Sequence, residues 1–109
     1  MAKVIKLIYG EKDYTLEYTR ETASVTEQNG FKIREIENLP ITMIPLLIHG
    51  AFVAHHPYTK PELIDEIYES LPDKPGFINA LATMYGDALT TLFDEPEDKS
   101  GKTNWKANW

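Results

Sequence analysis

The sequence has no cysteine among its 109 residues, which excludes disulfide staples and thiolate metal ligands. That absence fits a reducing compartment. No glycine-rich phosphate loop occurs, and Ser24, Ser70 and Ser100 lie outside the sharp-turn context that makes a serine a nucleophile. Basic residues are outnumbered 11 to 17, for a formal charge of −6. The lysines are scattered, so no basic face is available to displace counterions from nucleic acid. The longest apolar run, Ile41 to Ala54, falls short of the roughly 20 residues that cross a bilayer. The opening MAKVIKLIYG lacks the apolar core and small-residue cleavage site of a signal peptide. Together these absences point to one soluble cytoplasmic domain with no cofactor, no membrane and no nucleic acid. A chain of this length can still bury well over half of its unfolded surface.

What is present is organised around Ile41 to His56, ITMIPLLIHGAFVAHH. Only Thr42, His49 and Gly50 interrupt its apolar character up to Ala54, so a helix here must be covered on most sides. Either Thr42 caps that helix or Pro45 begins it, and Pro57 stops it by driving His56 out of the helical region. Gly50 sits mid-helix at a cost of about 1 kcal/mol against alanine, which implies close packing of another element on that side.

Upstream, VIKLIY over residues 4–9 has the β-branched and aromatic content of a strand. Gly10 to Asp13 reads as a turn, and Tyr14, Leu16 and Tyr18 then alternate with Thr15 and Glu17. The pair makes an antiparallel hairpin that needs a helix or a third strand on its apolar face. Thr19 is suited to cap a helix over Arg20 to Asn29, with Glu21 in the first turn and Gly30 at the end. Its apolar residues, Ala23 and Val25, suit a surface helix. Phe31 and Ile33 alternate with Lys32 and Arg34, suggesting a short third strand.

Downstream, Thr59 to Glu62 has the form of a capping box. It leads a helix over 60–71 with Leu63, Ile64, Ile67, Tyr68 and Leu71 on one face. Asp73 caps a last helix near 75–93, with an apolar stripe of Phe77, Ile78, Leu81, Met84, Tyr85, Leu89, Leu92 and Phe93. The short link at Pro72 makes these two helices neighbours, and Gly86 marks a close crossing. From Asp94 the chain turns charged and polar and reads as a flexible tail, yet it holds both tryptophans, Trp105 and Trp109. The expected fold is α+β: a hairpin or three-stranded sheet on three main helices, residues 1–93, with a tail over 94–109. Its core includes Leu16, Phe52, Ile64, Ile67, Leu81 and Met84.

No convergent polar constellation marks a catalytic or metal site. His49 and His56 are seven apart, where helical metal sites use spacings of three or four with carboxylates close by. His55 and His56 fall at a helix end, a pole that favours imidazolium. Glu62, Asp65, Glu66 and Glu69 flank an apolar stripe and read as a solvated face. An enzyme is not expected. The interaction candidates are Leu46, Leu47 and Phe52 on the apolar helix, and Trp105 and Trp109 as aromatic anchors. On this reading Leu47→Glu leaves a folded monomer.

The segments LEYTRET, NGF, a Pro40-Ile41-Thr42 start, GAFVAHHP and LPDKPGFINALATMYGDAL carry a further signal. From about Tyr14 to Phe93 the chain resembles the small tail assembly chaperones of siphophages and prophages of Gram-positive hosts. The resemblance implies a non-catalytic protein that binds the tape measure protein in the host cytoplasm and keeps it soluble. It implies help in polymerising tail tube protein around that client, and absence from the mature virion. It also implies a homo-oligomer and a short form, whose longer counterpart arises by ribosomal frameshifting. The shared segments are packing motifs, so no residue role transfers singly. The alternative is a connector or tail-completion subunit retained in the virion.

Overall fold

A computed structural model of the chain describes residues 3–90 and 106–109. Two strands and four helices follow one another as an α+β domain. Strands β1 (Val4–Tyr9) and β2 (Lys12–Glu17) pair antiparallel, from Val4 opposite Glu17 to Tyr9 opposite Lys12. The turn is shorter than the composition suggests, because Gly10 and Glu11 alone form it, at φ 56° and 70°. Two successive left-handed residues match the twist of a two-residue hairpin. Gly10 adopts that conformation freely, and Glu11 does so at a cost of about 1 kcal/mol.

Helix α1 (Arg20–Gln28) is capped as its sequence implies. The Thr19 hydroxyl accepts from the Thr22 amide at 3.1 Å, and the Thr19 amide donates back to the Thr22 hydroxyl at 2.9 Å. At the other end Gly30 (φ 104°) lets the Phe31 amide reach the Thr26 carbonyl at 3.1 Å, closing the helix. Contrary to expectation, α1 is not a surface helix. It buries Thr22, Ala23 and Thr26 and leaves Val25 exposed. The inward face is small rather than greasy, with Thr26 satisfied by donating to the Thr22 carbonyl at 2.9 Å.

The third strand expected at Phe31 to Arg34 does not form. Phe31 is buried, Ile33–Glu35 is a 3-10 turn, and local bonds such as Leu39 N–H to Glu35 O (2.7 Å) hold the segment. The alternation of Phe31 and Ile33 signalled one anchor residue, not a pleat.

Helix α2 (Pro40–Phe52) is the hub, touched by β2, α1, the 3-10 turn and both later helices. Pro40, not Thr42 or Pro45, is its first residue. Pro45 is tolerated inside because the carbonyl it leaves without a helical donor belongs to Ile41, on the same exposed side. Gly50 is the close crossing. A methyl group there would overlap the Thr26 and Tyr18 hydroxyls and lie 3.2 Å from Thr26 Cβ. The Tyr18 hydroxyl meanwhile donates to the Leu47 carbonyl at 2.7 Å.

Helices α3 (Pro61–Ser70) and α4 (Lys74–Thr90) lie mainly against α2 rather than against each other, apart from a tilted Tyr68–Phe77 ring contact at 6.1 Å. The capping box at Thr59 does not form: Lys60 is the cap residue and its side chain makes no capping bond, with Pro61 leading the first turn. Asp73 does cap, accepting from the Gly76 amide at 3.2 Å. Lys74 crosses back to the end of α3, donating to the Glu69 and Leu71 carbonyls at 3.0 and 3.1 Å. Gly86 has no atom near its open side, so it marks no crossing. Leu16, Phe52, Ile64, Ile67, Leu81 and Met84 are all buried. Leu92, Phe93 and nearly all of the tail lie outside the described residues.

Candidate functional site

The histidines are spent one by one on separate elements. His49 Nε2 meets Asp65 Oδ1 at 2.8 Å, joining α2 to α3. His55 Nε2 meets Glu17 Oε1 at 2.7 Å, joining the end of the α2 region to β2. His56 Nε2 accepts the Thr15 amide at 3.0 Å, covering the middle of the outer edge of β2. Among the described residues no three histidine or carboxylate side chains group to hold a metal ion, and no helix is long and apolar enough to cross a membrane. The carboxylates Glu62, Asp65, Glu66 and Glu69 are exposed. Glu66 accepts from the Tyr9 phenol, which raises the phenol above its ordinary range.

Accepting from Thr15 requires a bare Nε2, so the neutral ring carries its proton on Nδ1. Burial lowers the His56 pKa, with Lys12 and then His55 adding to the shift. Tyr14 and Phe52 pack against the ring in T-shaped contacts, at 5.0 and 6.4 Å. Because the folded value lies below the unfolded one, the unfolded chain takes up the proton first as pH falls. Stability from this group is therefore complete above about pH 6.5 and is lost on acidification through the folded pKa. In His56→Gln an amide oxygen can accept the same bond without titrating. The fall in melting temperature between pH 7.5 and pH 5 should be smaller in that variant than in the wild type; equal falls would count against the assignment.

The described surface holds an apolar groove with a charged margin. It encloses about 320 Å³ beside the end of α1, the 3-10 turn and the C-terminal half of α4. Phe31, Tyr85, Ile33 and Leu89 form its apolar lining, with Glu27 and Arg34 among the charged groups at its edge. Phe31 and Tyr85 stack edge to face at 4.8 Å, which fixes the floor. Burial, with the Glu27 charge second, holds the Tyr85 phenol above its ordinary range. On α2, the apolar residues left to solvent are at the start: Ile41 is 91% exposed and Leu39, just before it, 50%.

Two of the five expected interaction positions are interior. Leu47 and Phe52 are buried at 0% and 2% exposure, so neither can meet a partner while the domain is folded. Leu46 is half-buried. Trp109 is fully exposed, and Trp105 lies outside the described residues. The apolar excess of the central helix is consumed mostly by its own domain, because five other elements converge on it. The sequence pattern conceals the groove, because Phe31 and Ile33 alternate with polar residues as in a strand and Leu89 continues the apolar stripe of α4.

Over residues 1–109 the chain matches the family described as a domain of unknown function (DUF5055). No curated protein and no solved structure matches it.

Proposed function

We propose that this chain, which belongs to the DUF5055 family, is a non-catalytic tail assembly chaperone. Its client on this reading is the tape measure protein of a long-tailed phage or prophage, held soluble in the host cytoplasm. The chaperone works as an oligomer and leaves before the tail is mature, and tail tube protein is engaged through a longer form of the chain. The single observation behind the reading is the likeness of its packing segments, from LEYTRET to LPDKPGFINALATMYGDAL, to the siphophage chaperones.

The groove, in which the partly open Ile33 and Leu89 flank the buried rings of Phe31 and Tyr85, supports it as a seat for the client. An amphipathic helix presents an apolar stripe bordered by charge, and a groove with an apolar floor and charged margins complements that pattern. Exposed apolar patches with polar rims mark interaction sites.

The test is co-expression with overlapping segments of the tape measure protein encoded by the same phage or prophage. A helical segment should become soluble and copurify with the chain. Ile33→Glu, at a position already more than one-third exposed, should abolish retention without changing the melting temperature. Segments equally soluble without the chain would overturn the reading. Recovery of the chain from mature virions would favour the connector.

A further inference from the structure

The two edges of the hairpin are treated differently. The β2 edge is closed where Thr15 donates to His56. That bond also fixes the direction of every backbone group in the hairpin. Antiparallel residues alternate between pairs that exchange hydrogen bonds and pairs that do not. The Thr15 amide points away from β1, so its opposite residue, Lys6, belongs to a non-exchanging pair. By alternation Val4 and Ile8 do as well. The two-residue turn agrees, since it places the closing Tyr9–Lys12 pair among the exchanging ones.

The N–H and C=O groups of Val4, Lys6 and Ile8 therefore point outward along the other edge. Among the described residues no strand lies there. Side chains beside this edge are apolar on both faces except for Lys6, which stands exposed between Val4 and Ile8. Ile8 is 73% exposed and Val4 44% on one, while Ile5, Leu7 and Tyr9 are half-buried on the other.

An edge of this kind selects its occupant. A helix has already satisfied its backbone groups internally and has nothing to offer an open ladder. Only an extended segment with its own unpaired edge can use it, and among the described residues β1 offers such an edge along its whole length, whereas on β2 the His56 ring occupies the position outside Thr15 where a further strand would lie. We propose that two copies of this chain pair antiparallel along β1, joining their hairpins into one continuous sheet.

Charge and parity choose the register. Outward-pointing residues must face outward-pointing residues. Setting Lys6 opposite its own copy would bring two ammonium groups together, which is unfavourable. Setting Ile5 on the two-fold axis pairs only residues 4–6 within the strand. Setting Leu7 on the axis pairs residues 5–9, with Ile5 opposite Tyr9 and Lys6 opposite Ile8. Pairing consumes the β1 edge, and on the other edge of each copy the His56 ring, bonded to the Thr15 amide, blocks the middle of β2 against a further strand. The product is a closed dimer rather than a growing fibre.

This interface shares with the chaperone reading only the expectation that copies associate, and its test uses no client. Sedimentation velocity from micromolar to millimolar chain should show a monomer–dimer equilibrium. Hydrogen exchange should show the Lys6 and Ile8 amides protected in the dimer and fast in the monomer, with Val4, outside the paired residues, fast in both and Ile5, Leu7 and Tyr9 protected in both. Lys6→Pro removes an outward donor and no bond within the hairpin. It should weaken dimerisation by about tenfold or more, a loss of about 1.4 kcal/mol. Should Lys6→Pro perturb the hairpin, as loss of protection at Ile5, Leu7 and Tyr9 would reveal, Ile8→Lys tests the same register by opposing two lysines. A wild-type chain that stays monomeric throughout would overturn the proposal. So would a dimer that leaves the Lys6 and Ile8 amides unprotected. Loss of the dimer with client retention intact would leave the chaperone reading standing.

Discussion

Leu47→Glu should unfold the protein. Leu47 is fully buried on α2, at the level where Tyr18 donates to its carbonyl. Removing the leucine forfeits a buried side chain worth about 2–5 kcal/mol in comparable sites. The new carboxyl would sit in an apolar surround, either neutralised at the cost of a raised pKa or ionised without a partner. Both add several kcal/mol. The sum rivals the whole stability of a domain, about 5–15 kcal/mol. Circular dichroism should show loss of cooperative melting, whereas Ile41→Glu, at an exposed position six residues earlier, should melt within about 0.5 kcal/mol of wild type. A cooperative Leu47→Glu monomer would mean that α2 can turn this face outward.

Phe52→Ala should cost about 3–5 kcal/mol in denaturant melts. Phe52 is the last residue of α2, and its ring meets Tyr14 on β2 at 5.8 Å and His56 at 6.4 Å. Those contacts tie the helix to the hairpin and steady the ring that accepts from Thr15. The loss should therefore extend beyond the cavity. Thr15 amide exchange should quicken more than exchange within α4. A cost below about 1 kcal/mol would show that the ring is replaceable by neighbouring side chains, since well-collapsing sites lose least.

Periodicity and capping chemistry made much of this fold legible in advance. Alternation at Tyr14, Leu16 and Tyr18 marked β2, and the Thr19 and Gly30 signals bounded α1. The stripe of Ile64 and Ile67 placed α3 on the core. The failures have physical causes. Hydrophobicity undervalues a face of Thr22, Ala23 and Thr26, whose hydroxyls are satisfied locally and whose small size permits close approach. Phe31 needed only one buried side chain, so a two-residue alternation could not distinguish an anchor from a strand. Apolar content on α2 measured burial demand but not who meets it. Five elements of the same chain do so, and Leu47 and Phe52 are interior rather than interfacial. The groove over Phe31 and Tyr85 depends on contacts between segments more than 50 positions apart, which no local pattern records.

The crossing at Gly50 constrains how this chain can change over time. Tyr18, Thr26 and Gly50 share one small volume, and the tyrosine hydroxyl occupies the space that any side chain at position 50 would need. Alanine at 50 alone gains helix propensity of about 1 kcal/mol but meets two hydroxyls, a conflict costing about 1–3 kcal/mol. Phenylalanine at 18 removes one of those atoms, and also the donor to the Leu47 carbonyl. These three positions are thus a single unit of inheritance. A lineage that enlarges one of them must trim another in the same step or cross a less stable intermediate, so their identities should vary together across the family while the flanking residues drift independently.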